Sequence, residues 1–272
     1  MNTATPNRST PTINVLGIPV AALNLPAAVA MIERWLSADE RAGRYVCVTG
    51  VHGVMESLRS PAVRQAHLEA DAVVPDGMPL VWLGRRQGHG SMGRVYGPDL
   101  MLALLERAAV LGYTNYFYGG QPGVATALAA AMQGRFAGLR VVGTWTPPMG
   151  PLAPGEERQV LADINSKQPD LLWLGLSTPR QECQMAAFRG RLAVKVMIGV
   201  GAAFDFHTGR LRQAPRWMQR AGLEWVFRLA MEPRRLWKRY LINNPLFLWH
   251  IALQLSGLRC YPVTRPEGEA VP

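Results

Sequence analysis

The sequence predicts a layered α/β fold with a mostly parallel sheet, followed by a basic helical appendage. Three observations carry this. Short apolar runs alternate with helical stretches from residue 45 to residue 200, the pattern of βαβ units. The runs end in turn signals such as Thr49-Gly50, Asp76-Gly77 and Gly119-Gly120. After Gly209 no strand signal remains, and arginine and aromatic residues take over.

In chain order, Ile13 to Val20 is two apolar runs broken at Gly17, which predicts a hairpin or edge strand. Asn24 caps a helix with Pro26 in its first turn, running to about Ser37. Tyr45 to Val48 is a strand, and Ser60-Pro61 starts a helix leading to the strand Ala72-Val73-Val74-Pro75. Such a run is apolar because both faces of the sheet are covered. It delivers Asp76 to the carboxyl edge, where α/β proteins bind ligands. Asp76 suits two jobs there, proton transfer or capping the helix signalled by Pro79. Gly84 to Gly97 lacks an apolar period and is expected to be a mobile loop holding Arg85, Arg86 and Arg94.

Gly97-Pro98-Asp99 opens a helix to about Leu111, and Asn115 to Tyr118 is the next strand. Gly119-Gly120-Gln121-Pro122-Gly123 then leads into a helix from Val124 to about Phe136. A strand, a glycine turn and a helix N-terminus can hold a phosphate, or can simply make a tight turn. Arg140 to Gly143 is a strand, Thr146 to Pro154 a Pro-rich loop, and Glu156 to Asn165 a helix. Leu171 to Gly175 and Val194 to Val200 complete a Rossmann-like layered fold. The expected divisions are a disordered 1–12, a catalytic domain 13–208, an appendage 209–261 and a disordered tail 262–272.

Composition narrows the function. A hydrophobic content of 49% against 18% charged residues suits a substantial core and excludes a disordered chain. The net charge of +10 favours a polyanionic partner: nucleic acid, an anionic membrane or a phosphorylated substrate. Cys47, Cys183 and Cys260 lie far apart without metal-ligand spacing, as expected in a reducing compartment. Met1 to Thr12 lacks the apolar run of a signal peptide, so the expected location is cytoplasmic. The most apolar stretch, Pro245 to Leu258, is too short to span a bilayer and carries His250 and Gln254.

The appendage interleaves Trp217, Trp225, Trp237, Tyr240 and Trp249 with nine Arg and Lys residues from Arg210 to Arg239, opposed only by Glu224 and Glu232. This suits docking on an anionic membrane. Nucleic acid, or a helical cap with a solvated basic face, would give the same pattern. A carboxylate at a strand end, a phosphate-type turn and an arginine-rich appendage together suit a nucleotide-sugar transferase acting on a lipid-linked acceptor. No Asp-x-Asp is present, so arginines are expected to neutralise the leaving diphosphate. Two rival classes are a nucleotide-dependent oxidoreductase, opposed by the missing GxGxxG, and a nucleic-acid-binding protein, opposed by the crowding of basic residues at one end.

The chain resembles the WecG/TagA/CpsF glycosyltransferases of bacterial envelope polysaccharide synthesis, from about Ile13 to Pro245. The marks are Ala70-Asp71-Ala72-Val73-Val74-Pro75-Asp76-Gly77, Arg94-Val95-Tyr96-Gly97-Pro98-Asp99-Leu100 and Tyr118-Gly119-Gly120-Gln121-Pro122-Gly123-Val124. Pro179-Arg180-Gln181-Glu182, Gly199-Val200-Gly201-Ala202-Ala203-Phe204-Asp205-Phe206, Leu223-Glu224-Trp225-Val226-Phe227-Arg228, Glu232-Pro233-Arg234-Arg235 and Arg239-Tyr240 continue the series. The resemblance implies an inverting, metal-independent enzyme without a cofactor. Its donor would be a UDP-sugar, commonly of the N-acetylmannosamine type. Its acceptor would be a sugar on a polyprenyl diphosphate at the inner face of the membrane.

Asp76 matches the family's base, and Thr49, Arg94 and Gln181 match positions lining its pocket. Thr49 and Gln181 therefore join Asp76 as catalytic candidates. Arg94, Gly119, Gly120, Gly201, Glu182, His52, Arg228, Arg235 and Arg239 are the candidate substrate contacts. The three appendage arginines are expected to complete the site at the membrane, where the protein would be peripheral. One departure is Thr49-Gly50-Val51-His52, where many members carry Thr-x-Asn; His52 is the candidate replacement. The reading is compatible with a homo-oligomer and assigns no nucleic-acid partner.

Overall fold

The computed structural model describes residues 10–148, 150 and 152–264. The predicted hairpin forms from β1 (Thr12–Val15) and β2 (Ile18–Ala21), a separate two-stranded sheet. Thr12, expected in the loose N-terminus, begins that hairpin. Helix α1 (Leu25–Ser37) is capped by Asn24, whose side chain accepts from the Ala27 N–H.

The chain then runs through β3 (Arg44–Thr49), α2 (Val51–Arg59), α3 (Pro61–Leu68), β4 (Ala72–Pro75), α4 (Met78–Arg86) and α5 (Gly97–Leu111). Next come β5 (Thr114–Gly119), α6 (Val124–Arg135), β6 (Arg140–Trp145), α7 (Pro154–Lys167), β7 (Leu171–Gly175), α8 (Arg180–Phe188), β8 (Val196–Gly199) and α9 (Ala203–His207). The main sheet has six strands in the order β4-β3-β8-β7-β5-β6, and every pairing is parallel. Successive strand residues face opposite sides. Leu171 and Trp173 accordingly join one buried cluster, with Phe117 and Phe204. Leu172 and Leu174 join the other, with Tyr116 and Phe188. Covering both faces explains why these strands read as continuous apolar runs.

Three helices were not foreseen. The sequence reading passes over α2, which begins directly after β3, α8, which follows Thr178-Pro179, and the short α9, which follows β8. The segment from Gly84 to Gly97 is also not a free loop. Arg85 and Arg86 finish α4. Met92 and Val95 are buried, the Gly93 N–H bonds the Leu23 carbonyl, and the Val95 N–H bonds the Pro75 carbonyl at 2.8 Å. Those contacts hold Arg94 beside the end of β4.

Beyond Gly209 the chain forms α10 (Arg216–Arg220), α11 (Glu224–Met231) and α12 (Pro233–Trp237), a π turn (Lys238–Ile242), and α13 (Asn243–Leu255). Pro245 does not break this segment. The π turn shifts the hydrogen-bond register, and Pro245 falls in the first turn of α13, where its missing N–H costs little. The segment 209–261 has two parts. Helices α10 to α12 lie across the carboxyl edge of the sheet. In contrast, α13 buries Phe247 and Ile251 in the second core cluster, together with Tyr261. Gln254 clamps the hairpin, accepting from the Leu16 N–H at 2.9 Å and donating to the Asn14 carbonyl at 2.8 Å. The Pro262 carbonyl accepts from Arg64 at 2.7 Å. The expected disorder at 1–9 and 265–272 lies outside the described residues.

Candidate active site

The carboxyl ends of β3, β4, β7 and β8 open into a cavity of about 800 Å³, roofed by α10, α11 and the π turn. Of the residues singled out in the sequence, Asp76, His52, Arg94, Gln181, Gly201, Arg228, Arg235 and Arg239 line it together. A roof is possible because Gly222 comes tight against α4: a Cβ there would sit 2.8 Å from the Trp82 ring.

Asp76 follows the last residue of β4, and its N–H bonds the Thr49 carbonyl at 2.9 Å. Residue Gly77 occupies the N-cap position of α4, which has no side-chain cap bond, so Asp76 is not the cap. Its side chain keeps 33% of its surface accessible. Enclosure in the pocket raises its pKa, the Arg94 guanidinium opposes that rise, and the Glu224 carboxylate adds to it. The Gly97 N–H and Arg239 also favour the charged form. Asp76 is thus a carboxylate of raised basicity in a cleft, the profile of a general base.

Arg94 is held on several sides. Its Nε donates to the Asp76 main-chain carbonyl, and its guanidinium stacks 4.0 Å from the Tyr96 ring centroid. Its Nη2 lies 2.6 Å from Glu224 Oε2 and 3.5 Å from Asp76 Oδ1. Gln181 is fixed by accepting from the Gly201 N–H at 2.9 Å and donating to Glu182 at 3.1 Å. Glu182 itself is buried behind Gln181 and also accepts from the Thr178 hydroxyl.

The appendage supplies cations. Glu232 braces Arg235 at 2.6 Å and Arg228 at 3.5 Å. Arg239 differs from both. Burial pushes its guanidinium pKa down, and its Nε has no hydrogen-bond partner among the described residues. A buried guanidinium in that state is poised for an anion. Among the described residues no three His, Cys, Asp or Glu side chains gather as metal ligands.

Four predicted site residues fall outside the cavity lining. Thr49 is 1% exposed, and its hydroxyl bonds His67 Nε2 at 2.9 Å. Strand alternation explains this: Tyr45 and Cys47 face the second core cluster, and Thr49 shares their face. Gly119 and Gly120 pack the sheet edge. A Cβ on Gly119 would meet the Gly175 backbone at 2.7 Å, and the Gly120 N–H bonds the Gly175 carbonyl. That turn reaches the cavity through Gln121. Glu182 is the fourth.

His52 lines the cavity as part of its wall. Its Nδ1 pairs with the Asn243 amide at 3.1 Å. Burial, then the Arg239 charge, lowers its pKa to about 3. The sequence reading missed Glu224, Tyr96 and Asn243. Glu224 had a usable signal: it is one of two acids in an otherwise cationic segment.

The pattern that defines the glycosyl transferase WecG/TagA/CpsF family matches residues 13–260. The chain belongs to this family. It is a glycosyltransferase, and its six-stranded parallel sheet is the layered fold that the sequence predicts. A Bacillus spizizenii relative is 27% identical over 203 residues, covering 75% of this chain and 77% of the relative. A Bacillus subtilis relative is 24% identical over 231 residues, covering 85% and 87%. Both are named N-acetylglucosaminyldiphosphoundecaprenol N-acetyl-beta-D-mannosaminyltransferase. In this family member, no described helix is long and apolar enough to cross a membrane.

Proposed function

We propose that this glycosyltransferase moves an N-acetylmannosamine-type sugar from a UDP-sugar to a saccharide carried on a polyprenyl diphosphate. The names of the two relatives support the acceptor and the sugar. The observation that carries the mechanism is the Asp76 carboxylate, raised in basicity and sharing one cavity with Arg228, Arg235 and Arg239.

Asp76 takes the proton from the acceptor hydroxyl as its oxygen bonds the anomeric carbon. The bond from that carbon to the UDP oxygen breaks, and its electron pair leaves with UDP. A single displacement of this kind inverts the anomeric centre. The arginines offset the charge that grows on the diphosphate. No metal ion is assigned a role.

The reaction is assigned to the inner face of the cytoplasmic membrane, with the protein peripheral. Support comes from the distribution of exposed apolar side chains. All but three of the large ones among the described residues lie between Trp217 and Val263. They share that stretch with Arg234, Lys238 and Arg259, the mixture that suits an anionic lipid surface.

The test is acceptor-dependent UDP release. The protein is mixed with a panel of UDP-sugars, a short-chain polyprenyl-diphosphate-linked N-acetylglucosamine and EDTA. Release with one donor is the expected result. Release only after a divalent ion is added would overturn the arginine account, and no release under either condition would overturn the assigned acceptor.

A further inference from the structure

Glu224 is the first residue of α11, and its carboxylate reaches from the roof of the cavity to the residues around Asp76. One oxygen lies 2.6 Å from Arg94 Nη2. The other accepts the Tyr96 hydroxyl at 2.9 Å. The same Arg94 nitrogen stands 3.5 Å from Asp76 Oδ1, and that oxygen is buried without a hydrogen-bond partner among the described residues. A guanidinium beside a carboxylate ordinarily closes onto it in a forked pair. Here the closer pair goes to the neighbour.

We propose that Glu224 is a positioning residue that holds the Arg94 guanidinium off Asp76 and so keeps the Asp76 carboxylate free to accept a proton. The inference rests on the reading of Asp76 as the base. The groups facing Asp76 are Arg94 from the loop before α5, Glu224 from α11, Tyr96, and Arg239 from the π turn. Glu224 favours the protonated form of Asp76, whereas Arg94 and Arg239 oppose it. Removing the Glu224 charge therefore weakens the base twice: a repelling charge is lost, and Arg94 is released to pair with Asp76. Because Glu224 belongs to the appendage, the base acquires its working strength only when α11 is docked.

The experiment compares pH profiles of kcat/KM for the full-length enzyme and Glu224→Gln, with Asp76→Asn assayed beside them. The acidic limb is expected to move to lower pH by about one unit, with kcat on the plateau falling at least about threefold. Glu224→Asp, one methylene shorter, is expected to fall between the two. It also provides the reading should Glu224→Gln melt below the assay temperature. A limb that stays in place while only KM rises is what a structural latch would give, and it overturns the proposal. If Asp76→Asn abolishes turnover and the limb is still unmoved, only the role of Glu224 is lost. If Asp76→Asn remains active, the limb is not that of Asp76 and both readings fall.

Discussion

Asn243 Nδ2 meets His52 Nδ1 at 3.1 Å, joining residues 191 positions apart in the chain. The Asn243 side-chain Oδ1 accepts from Arg59 at 2.6 Å, and the Thr178 backbone takes a further hydrogen bond from His52. His52 is thus a clasp between α2 and the start of α13. A neutral imidazole whose Nδ1 is already engaged by Asn243 is not placed to take the acceptor's proton.

This clasp makes the protein acid-sensitive. The folded pKa of His52, about 3, lies below its ordinary value of 6.5. Between those values the unfolded chain binds more protons, so stability falls as pH falls. Urea unfolding of His52→Gln should remove about 2 kcal/mol of the stability loss seen between pH 7 and pH 4.5. Equal losses in both proteins would mean that His52 is not held neutral.

Asp76→Asn is expected to lower kcat at least ~100-fold without unfolding the protein. Because its pKa is raised by enclosure, activity should fall off at a higher pH than an exposed aspartate would dictate. Single-turnover assays with the matched acceptor read both effects. Near-normal turnover in a folded variant would remove Asp76 from the mechanism.

Arg239→Met should separate binding from folding. The substitution removes a buried cation whose Nε lacks a hydrogen-bond partner among the described residues, so the melting temperature should hold or rise. Saturating UDP at 100 times its Kd should stabilise the parent by about 2.7 kcal/mol and the variant by much less. Equal UDP shifts in a melting assay would place the diphosphate elsewhere.

Gly119→Ala tests the glycine turn. The residue has φ of +133° and its Cβ would meet the Gly175 backbone at 2.7 Å. A loss of at least about 2 kcal/mol in urea unfolding is expected. An unchanged midpoint with weakened UDP binding would return the turn to a purely nucleotide-holding role.

Membrane docking is best tested on the exposed side chains of α13 that stand outside the cavity lining, Leu246 and Trp249, which are 39% and 61% exposed. The double variant Leu246→Glu, Trp249→Glu should keep its melting temperature and lose several-fold in sedimentation with anionic liposomes. Undiminished sedimentation would move the docking surface off α13. Deleting everything beyond residue 210 is a poorer test, because it strips Phe247, Ile251 and Tyr261 from the core.

Several features were legible because they are local. The cap at Asn24, the proline starts of α3 and α5, and the apolar runs of β3, β4, β7 and β8 each depend on neighbours a few residues away. Those signals placed Asp76 at the carboxyl edge. The helices α2 and α8 escaped notice because each begins directly beside a strand end or a proline turn, without a capping side chain to announce it.

By itself, the sequence determined the strands and their succession along the chain, the parallel layering, the family, and the strand end that carries Asp76. Only the tertiary structure decided which side chains share the cavity. Thr49 turns inward to His67, Glu224 crosses 128 positions to Tyr96, and Asn243 reaches His52. The physical reason is range. Periodicity and capping act over one or two turns, whereas these contacts depend on how crossovers and the roof helices pack, a property of the whole core that no short stretch encodes.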